Sequence, residues 1–197
     1  MLPLGLLREP ASQKRRADIV IVTKAPRNIT PMEKRLFEHD INILSHQHIY
    51  FTTIKYGNPV PVFSPNPEVG TIDFKSKDLS ILLVSGIASP SLLVDEVKEA
   101  YRDVTTVSFP DHHNFSQSDI NNILRQYNSI KNKDKVILTT EKDAARLASA
   151  NYIDLLPEVW YYLPMEIEFL SHESDVFNNQ ILHYVNNNSR NSILYKK

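Results

Sequence analysis

The sequence predicts an α/β fold, with a mostly parallel sheet and helices on both faces. Three observations carry that expectation. Short β-branched or leucine-rich runs alternate with segments of helical period. The runs Ala17–Thr23 and Leu79–Val84 are apolar with few polar breaks, the pattern of strands covered on both sides. No internal repeat or long linker interrupts the alternation.

Each element has its own signal. Ala17–Thr23 is a buried strand flanked by charges. A helix follows, with Thr30 as N-cap, Pro31 at its first position and Glu33 placed to close a capping box. Leu36 and Phe37 are expected on its inner face. Ile49–Tyr56 is the next strand, and the prolines at 59, 61, 65 and 67 make residues 57–70 a loop or edge excursion. Leu79–Val84 is the best buried strand. Gly86 and Ser89-Pro90 turn it into a helix whose face is Leu93, Val94, Val97 and Tyr101. The strand Val104–Phe109 ends at Pro110, and the helix Ser118–Ile130 follows, with Ile120, Ile123, Leu124 and Tyr127 at helical spacing. Val136–Thr140 leads into the helix Glu141–Ser149. Val159–Leu163 is a last strand before a C-terminal helix over about residues 173–187, with Phe177, Ile181, Leu182 and Val185 inward. Residues 1–150 are expected to form the main α/β core, and 151–197 a strand–helix extension of the same domain.

Composition narrows the function. A chain of 197 residues can bury roughly 70% of its unfolded surface without a disulfide or metal staple. The net charge is −1, so the basic footprint of a dedicated nucleic-acid binder is missing. There is no cysteine, which removes disulfides, thiolate zinc sites and cysteine nucleophiles. The apolar opening Met1–Leu7 is too short to span a bilayer and lacks the basic start of a signal peptide. Only 4 glycines occur, and none are spaced as a phosphate-cradling loop.

In a parallel α/β sheet, ligands bind at the carboxyl ends of the strands. Pro110-Asp111-His112-His113 follows one such strand, where a carboxylate and imidazoles can relay a proton or hold a metal. Thr139-Thr140-Glu141-Lys142-Asp143-Ala144 lies at another strand–helix junction. It can face an anion, or simply cap the helix through Thr140 and Asp143. In Ser85-Gly86-Ile87, Gly86 permits a close backbone approach or a tight turn. Arg8 beside Glu9, followed by Lys14-Arg15-Arg16, is by itself an ordinary solvated cluster. His46 and His48 would share one side of a strand, but no third ligand is identifiable, so no metal site is assigned.

Taken in order, Leu7-Arg8-Glu9-Pro10, Arg16-Ala17-Asp18 leading to Val22-Thr23-Lys24, Ser85-Gly86-Ile87, Phe109 to His113 and Thr139 to Ala144 form a series. The series resembles the C-terminal part of the tetraacyldisaccharide 4′-kinases, over roughly Leu2 to Leu147. The resemblance implies a partial P-loop-type kinase fold, with residues 1–150 the C-terminal part of its core. It implies transfer of the ATP γ-phosphate to the 4′-hydroxyl of a tetraacylated glucosamine disaccharide in lipid A biosynthesis. ATP and Mg²⁺ would be the cofactors, held mainly by an N-terminal half with a phosphate loop and a membrane-associating segment. The enzyme would be cytoplasmic and peripheral to the inner membrane. His112, with an aspartate of that N-terminal half, would take the proton of the sugar hydroxyl, and Asp111 would support it. Arg8 and Glu9 would line the active site, with Arg8 offsetting charge on the phosphoryl group. Lys142, Asp143 and Gly86 are candidates for contact with substrate or nucleotide. By itself this chain is expected to have negligible kinase activity, because it carries no phosphate cradle of its own.

Two other readings compete. A metal-dependent phosphoesterase could use Asp111, His112 and His113, but the further aspartates and glycine-rich segment it needs are missing. A non-catalytic α/β module could instead dock onto a separately encoded N-terminal half.

Overall fold

The computed structural model describes residues 11–63, 72–148 and 159–192. Arg8, Glu9 and the stretch 149–158 lie outside the described residues. The chain forms two compact units, one from Met1–Lys55 with Glu166–Lys197 and one from Tyr56–Met165.

The second unit carries a five-stranded sheet in the order β3-β7-β6-β4-β5. Its strands are β3 (Val60–Pro61), β4 (Ser80–Ser85), β5 (Asp103–Ser108), β6 (Lys135–Thr140) and β7 (Trp160–Leu163). The pairs β4–β5, β4–β6 and β6–β7 are parallel, and only β3 runs antiparallel, at the edge beside β7. Pro61 is tolerated there because a sheet edge does not need every N–H.

All six residues of β4 are buried, as its unbroken apolar run requires. Its side chains alternate between two cores. Ile81 and Leu83 pack with Val136 and Leu138 of β6 and with Leu93 and Val97 of α2 (Ser91–Ala100). Leu82 and Val84 pack on the other face with Ile120 and Ile123 of α3 (Gln117–Ser129), Leu147 of α4 (Glu141–Ala148) and Trp160. Each fully buried aliphatic side chain contributes about 1.5–3 kcal/mol, so this double-sided core is the main reason the sheet holds its shape. Helices cover both faces, as the sequence predicts, and the strand and helix limits here nearly coincide with the expected ones.

The first unit has a three-stranded sheet in the order β1-β2-β8, formed by β1 (Ile19–Val22), β2 (His48–Tyr56) and β8 (Met165–Phe169). β1 and β2 are parallel. A 3-10 turn at Ala11–Arg16 precedes β1, and the amide of buried Gln47 donates to the carbonyls of Lys14 and Ala17, fixing the entry to the strand. The capping box of α1 (Pro31–Ile41) is built as expected: Thr30 Oγ1 accepts from Glu33 N, and the Glu33 carboxylate accepts from Thr30 N.

The expected inner faces of α1 and of α5 (Ser174–Ser192) are only partly right. Leu36 is 55% exposed and Phe37 38%, because the helix phase turns the 34/38/41 side inward. Phe37 still meets Phe51 edge-on at 6.1 Å, and Lys34 lies over the same ring. On α5, Phe177 packs against Tyr50, and Gln180 accepts a hydrogen bond from the Tyr50 hydroxyl at 2.7 Å, while Ile181, Leu182 and Val185 are exposed. The inward side of α5 is therefore that of Phe177 and Gln180, in line with Glu173 just before the helix. No strand is expected at β8 from the sequence, although the apolar–polar alternation of Met-Glu-Ile-Glu-Phe is a strand signal.

Candidate functional site

Three adjacent strands, β6, β4 and β5, end at the same edge, and their following segments meet there. The peptide Phe109 N–H donates to Ser85 O at 2.7 Å, carrying the β4–β5 ladder past the strand ends. The chain then turns back at Pro110–His113, where His113 N–H donates to Pro110 O at 3.2 Å. His112 takes a left-handed backbone, φ 60°, inside this turn. A non-glycine residue holds that conformation only when its surroundings favour it.

The two histidines have separate jobs. His113 stacks on Phe109 with ring centroids 4.7 Å apart and meets the edge of Phe115. Its Nε2 lies 3.0 Å from Asp119 Oδ2, at the start of α3. Asp119 also accepts from the hydroxyl and N–H of Ser116, the α3 N-cap. Those hydrogen bonds, with His113 beside them, hold the Asp119 carboxyl below the usual carboxylate range. His113 thus tethers the loop to α3.

His112 instead projects from the turn, its side chain 73% exposed. Its Nε2 is 3.6 Å from Asp111 Oδ2, and Asp111 Oδ1 accepts from the peptide N–H of His112 at 3.0 Å. Lys142 Nζ stands 3.5 Å from Asp111 Oδ1. Partial burial pushes the Asp111 carboxyl up, but His112 and Lys142 together outweigh it and hold the group below its ordinary value.

Beneath them lies Asp143, 0% exposed. Its Oδ2 accepts from Gly86 N at 2.8 Å and from Thr140 Oγ1 at 2.7 Å. Its Oδ1 accepts from Arg146 Nη1 at 2.9 Å. The same Nη1 donates to Gly86 O at 3.3 Å, and Nη2 lies 3.2 Å from His112 Nδ1. A Cβ on Gly86 would sit 3.1 Å from Asp143 Oδ1, so the missing side chain is what lets the loop close on the carboxylate. Asp143 is thus an internal anchor, held away from solvent.

The structure brings together Gly86, Asp111, His112, Lys142 and Asp143 from the expected set. Arg146 is the member that sequence reasoning missed. Its signal was available, since it follows Asp143 by three positions and Lys142 by four on one helix face. Among the described residues, no three His, Asp or Glu side chains converge as a metal site. Lys142 and Arg146 also set two cations against Asp111 and His112, which opposes a divalent ion there. Among the described residues, no helix is long and apolar enough to cross a membrane.

Fold and site define an α/β protein with an imidazole–carboxylate loop at the carboxyl edge of a parallel sheet, braced by an ion pair between part-buried Arg146 and fully buried Asp143. The chain belongs to the tetraacyldisaccharide-1-P 4′-kinase family, LpxK, whose model matches residues 1–186. It is 42% identical over 200 residues to a tetraacyldisaccharide 4′-kinase of Bacteroides thetaiotaomicron, covering 98% of this chain and 52% of that protein. To the tetraacyldisaccharide 4′-kinase of Phocaeicola vulgatus it is 40% identical over 193 residues, with the same coverage of 98% and 52%. The chain thus spans about half the length of these curated relatives. A solved structure, LpxK from Aquifex aeolicus in complex with ATP, matches with a TM-score of 0.49 and 21% identity, over 89% of this chain and 45% of that one. Family membership does not favour the phosphoesterase reading.

Proposed function

We propose that this chain is the C-terminal part of a tetraacyldisaccharide 4′-kinase, and that it supplies the acceptor-side base of the phosphoryl transfer. The substrates would be ATP and a tetraacylated glucosamine disaccharide carrying a free 4′-hydroxyl, a lipid A precursor. The observation that carries this reading is the exposed His112, held at the sheet edge between Asp111 and Arg146. A sugar hydroxyl is almost fully protonated at neutral pH, so attack on phosphorus is helped by a base within hydrogen-bond reach. Asp111 faces the ring at 3.6 Å, and His112 and Lys142 together hold the Asp111 carboxyl below its ordinary value against partial burial. Lys142 also places a positive charge where an anionic substrate would arrive.

The remaining parts of the reading rest on the family. Arg8 and Glu9 would line the active site. A P-loop half would hold ATP and Mg²⁺ and would bring the enzyme to the inner-membrane surface from the cytoplasm. Among the described residues, no cluster of His, Asp and Glu side chains is placed to hold Mg²⁺. With no glycine-rich cradle, the 197-residue chain alone should show negligible transfer.

The test is a chimera in which this chain replaces the matching half of the Bacteroides thetaiotaomicron relative. The chimera should phosphorylate the disaccharide, and His112→Asn should lower its kcat about 10²–10⁴-fold, the usual contribution of a general base. Full activity with His112→Asn would overturn the assignment.

A further inference from the structure

The two ring nitrogens of His112 face different partners. Nδ1 lies 3.2 Å from Arg146 Nη2, and Nε2 lies 3.6 Å from Asp111 Oδ2. A guanidinium has five N–H donors and no acceptor. The contact therefore has one direction: Nη2–H donates and the Nδ1 lone pair accepts. The single proton of the neutral ring then sits on Nε2, facing a carboxylate.

We propose that Arg146 is a positioning residue that selects this tautomer and makes Nδ1, not Nε2, the nitrogen that receives the substrate proton. The inference rests on the reading of His112 as the base. Arg146 is well placed for the task because its two terminal nitrogens are used differently. Nη1 is anchored by buried Asp143 and by the Gly86 carbonyl. Nη2 is the arm presented to the ring. Among the described residues, the charged groups facing His112 are Arg146 from α4 and Asp111 from its own turn, while Lys142 acts on Asp111; the aspartate of the N-terminal half would lie beyond them. His113 is turned away to Asp119.

The step follows from that geometry. The acceptor hydroxyl reaches Nδ1 by displacing Nη2–H. Its O–H bond breaks and an N–H bond forms at Nδ1. The electron pair left on oxygen forms the new O–P bond, and the bond from the γ-phosphorus to the bridging oxygen breaks, its electron pair leaving with ADP. The ring is now an imidazolium whose Nε2–H faces Asp111. Repulsion between the charged ring and the guanidinium keeps Nη2 off Nδ1, where it can turn to a phosphoryl oxygen.

The test is nitrogen NMR on the 197-residue chain labelled with ¹⁵N at histidine, at a pH where the rings are neutral, with His112→Asn used to assign the resonances. The expected result is a protonated Nε2 and an unprotonated Nδ1 whose resonance is displaced by an accepted hydrogen bond. In Arg146→Lys, one ammonium can reach Asp143 but cannot also hold the ring. The Nδ1 resonance should then shift toward that of an uncapped nitrogen, and an Nδ1–H population should become detectable. Arg146→Met should do the same, and the lysine variant guards against loss of the fold. A wild-type ring protonated on Nδ1, or Nδ1 resonances unmoved in both variants, would overturn the proposal. The spectra need no turnover, so this failure is distinct from a chimera that transfers no phosphate, which would remove the kinase reading itself.

Discussion

Lys142 and Arg146 stand one turn apart on α4 and hold consecutive residues of one loop: Lys142 lies 3.5 Å from Asp111, and Arg146 3.2 Å from His112. The four-residue spacing puts both cations on one helix face, so the helix presents a matched pair to the Asp-His dipeptide. The strained turn at His112 is thereby braced from outside as well as by its own hydrogen bonds.

The two neighbouring histidines should separate cleanly on mutation. His112→Asn should leave the melting temperature of the chain nearly unchanged, because the side chain is exposed and asparagine tolerates a left-handed backbone. His113→Ala should lower stability by about 1–3 kcal/mol, since it removes a ring stacked on Phe109 and a partner of Asp119. Urea denaturation of both variants checks this, and equal destabilisation would contradict the division of roles.

Removing the buried anchor should be costly. Asp143→Ala strips the fully buried carboxylate from Gly86 N–H, Thr140 and Arg146 at once. Breaking one side of such a pair costs about 3–5 kcal/mol. Equilibrium unfolding should show a loss of that order, or the variant should fail to accumulate folded.

Gly86→Ala probes the same contact from the loop after β4. Its Cβ would meet an Asp143 oxygen at 3.1 Å, and that oxygen is already held by Arg146. Overpacking of this kind costs about 1–3 kcal/mol. A melting temperature equal to wild type would show that the loop opens more freely than the hydrogen bonds indicate.

The start of α3 should make the fold acid-sensitive. The Asp119 carboxyl is lowered by Ser116 and His113, so it binds fewer protons folded than unfolded near its unfolded value. Its stabilisation is fully present above the ordinary carboxylate range and is lost as pH falls through the lowered folded value. Asp111 is lowered too and adds in the same direction. Asp119→Asn should therefore melt lower than wild type at neutral pH, with the gap narrowing below about pH 4. Ser116→Ala should cost about 1 kcal/mol as a lost N-cap. Thermal melts across pH 2–7 would refute this if the gap stayed constant.

The sequence by itself determined the parts that depend on local pattern. The unbroken apolar run at β4, the capping box at Thr30 and Glu33, and the helical spacing of Ile120 and Ile123 each point to one outcome, and each appears. The ordered motifs were likewise enough to reach the family. Tertiary structure decided what depends on which distant segments meet. The inward side of α1 and α5 follows helix phase against β2, which leaves Leu36 and Leu182 exposed despite their hydrophobicity. The charged strand β8 exists because β2 offers it a pairing edge. Within the site, spacing made Asp111, His112 and Asp143 candidates but could not tell a buried anchor from an exposed base. That distinction arose only when Gly86, from the loop after β4, donated to Asp143 and left Arg146 to carry the contact on to His112.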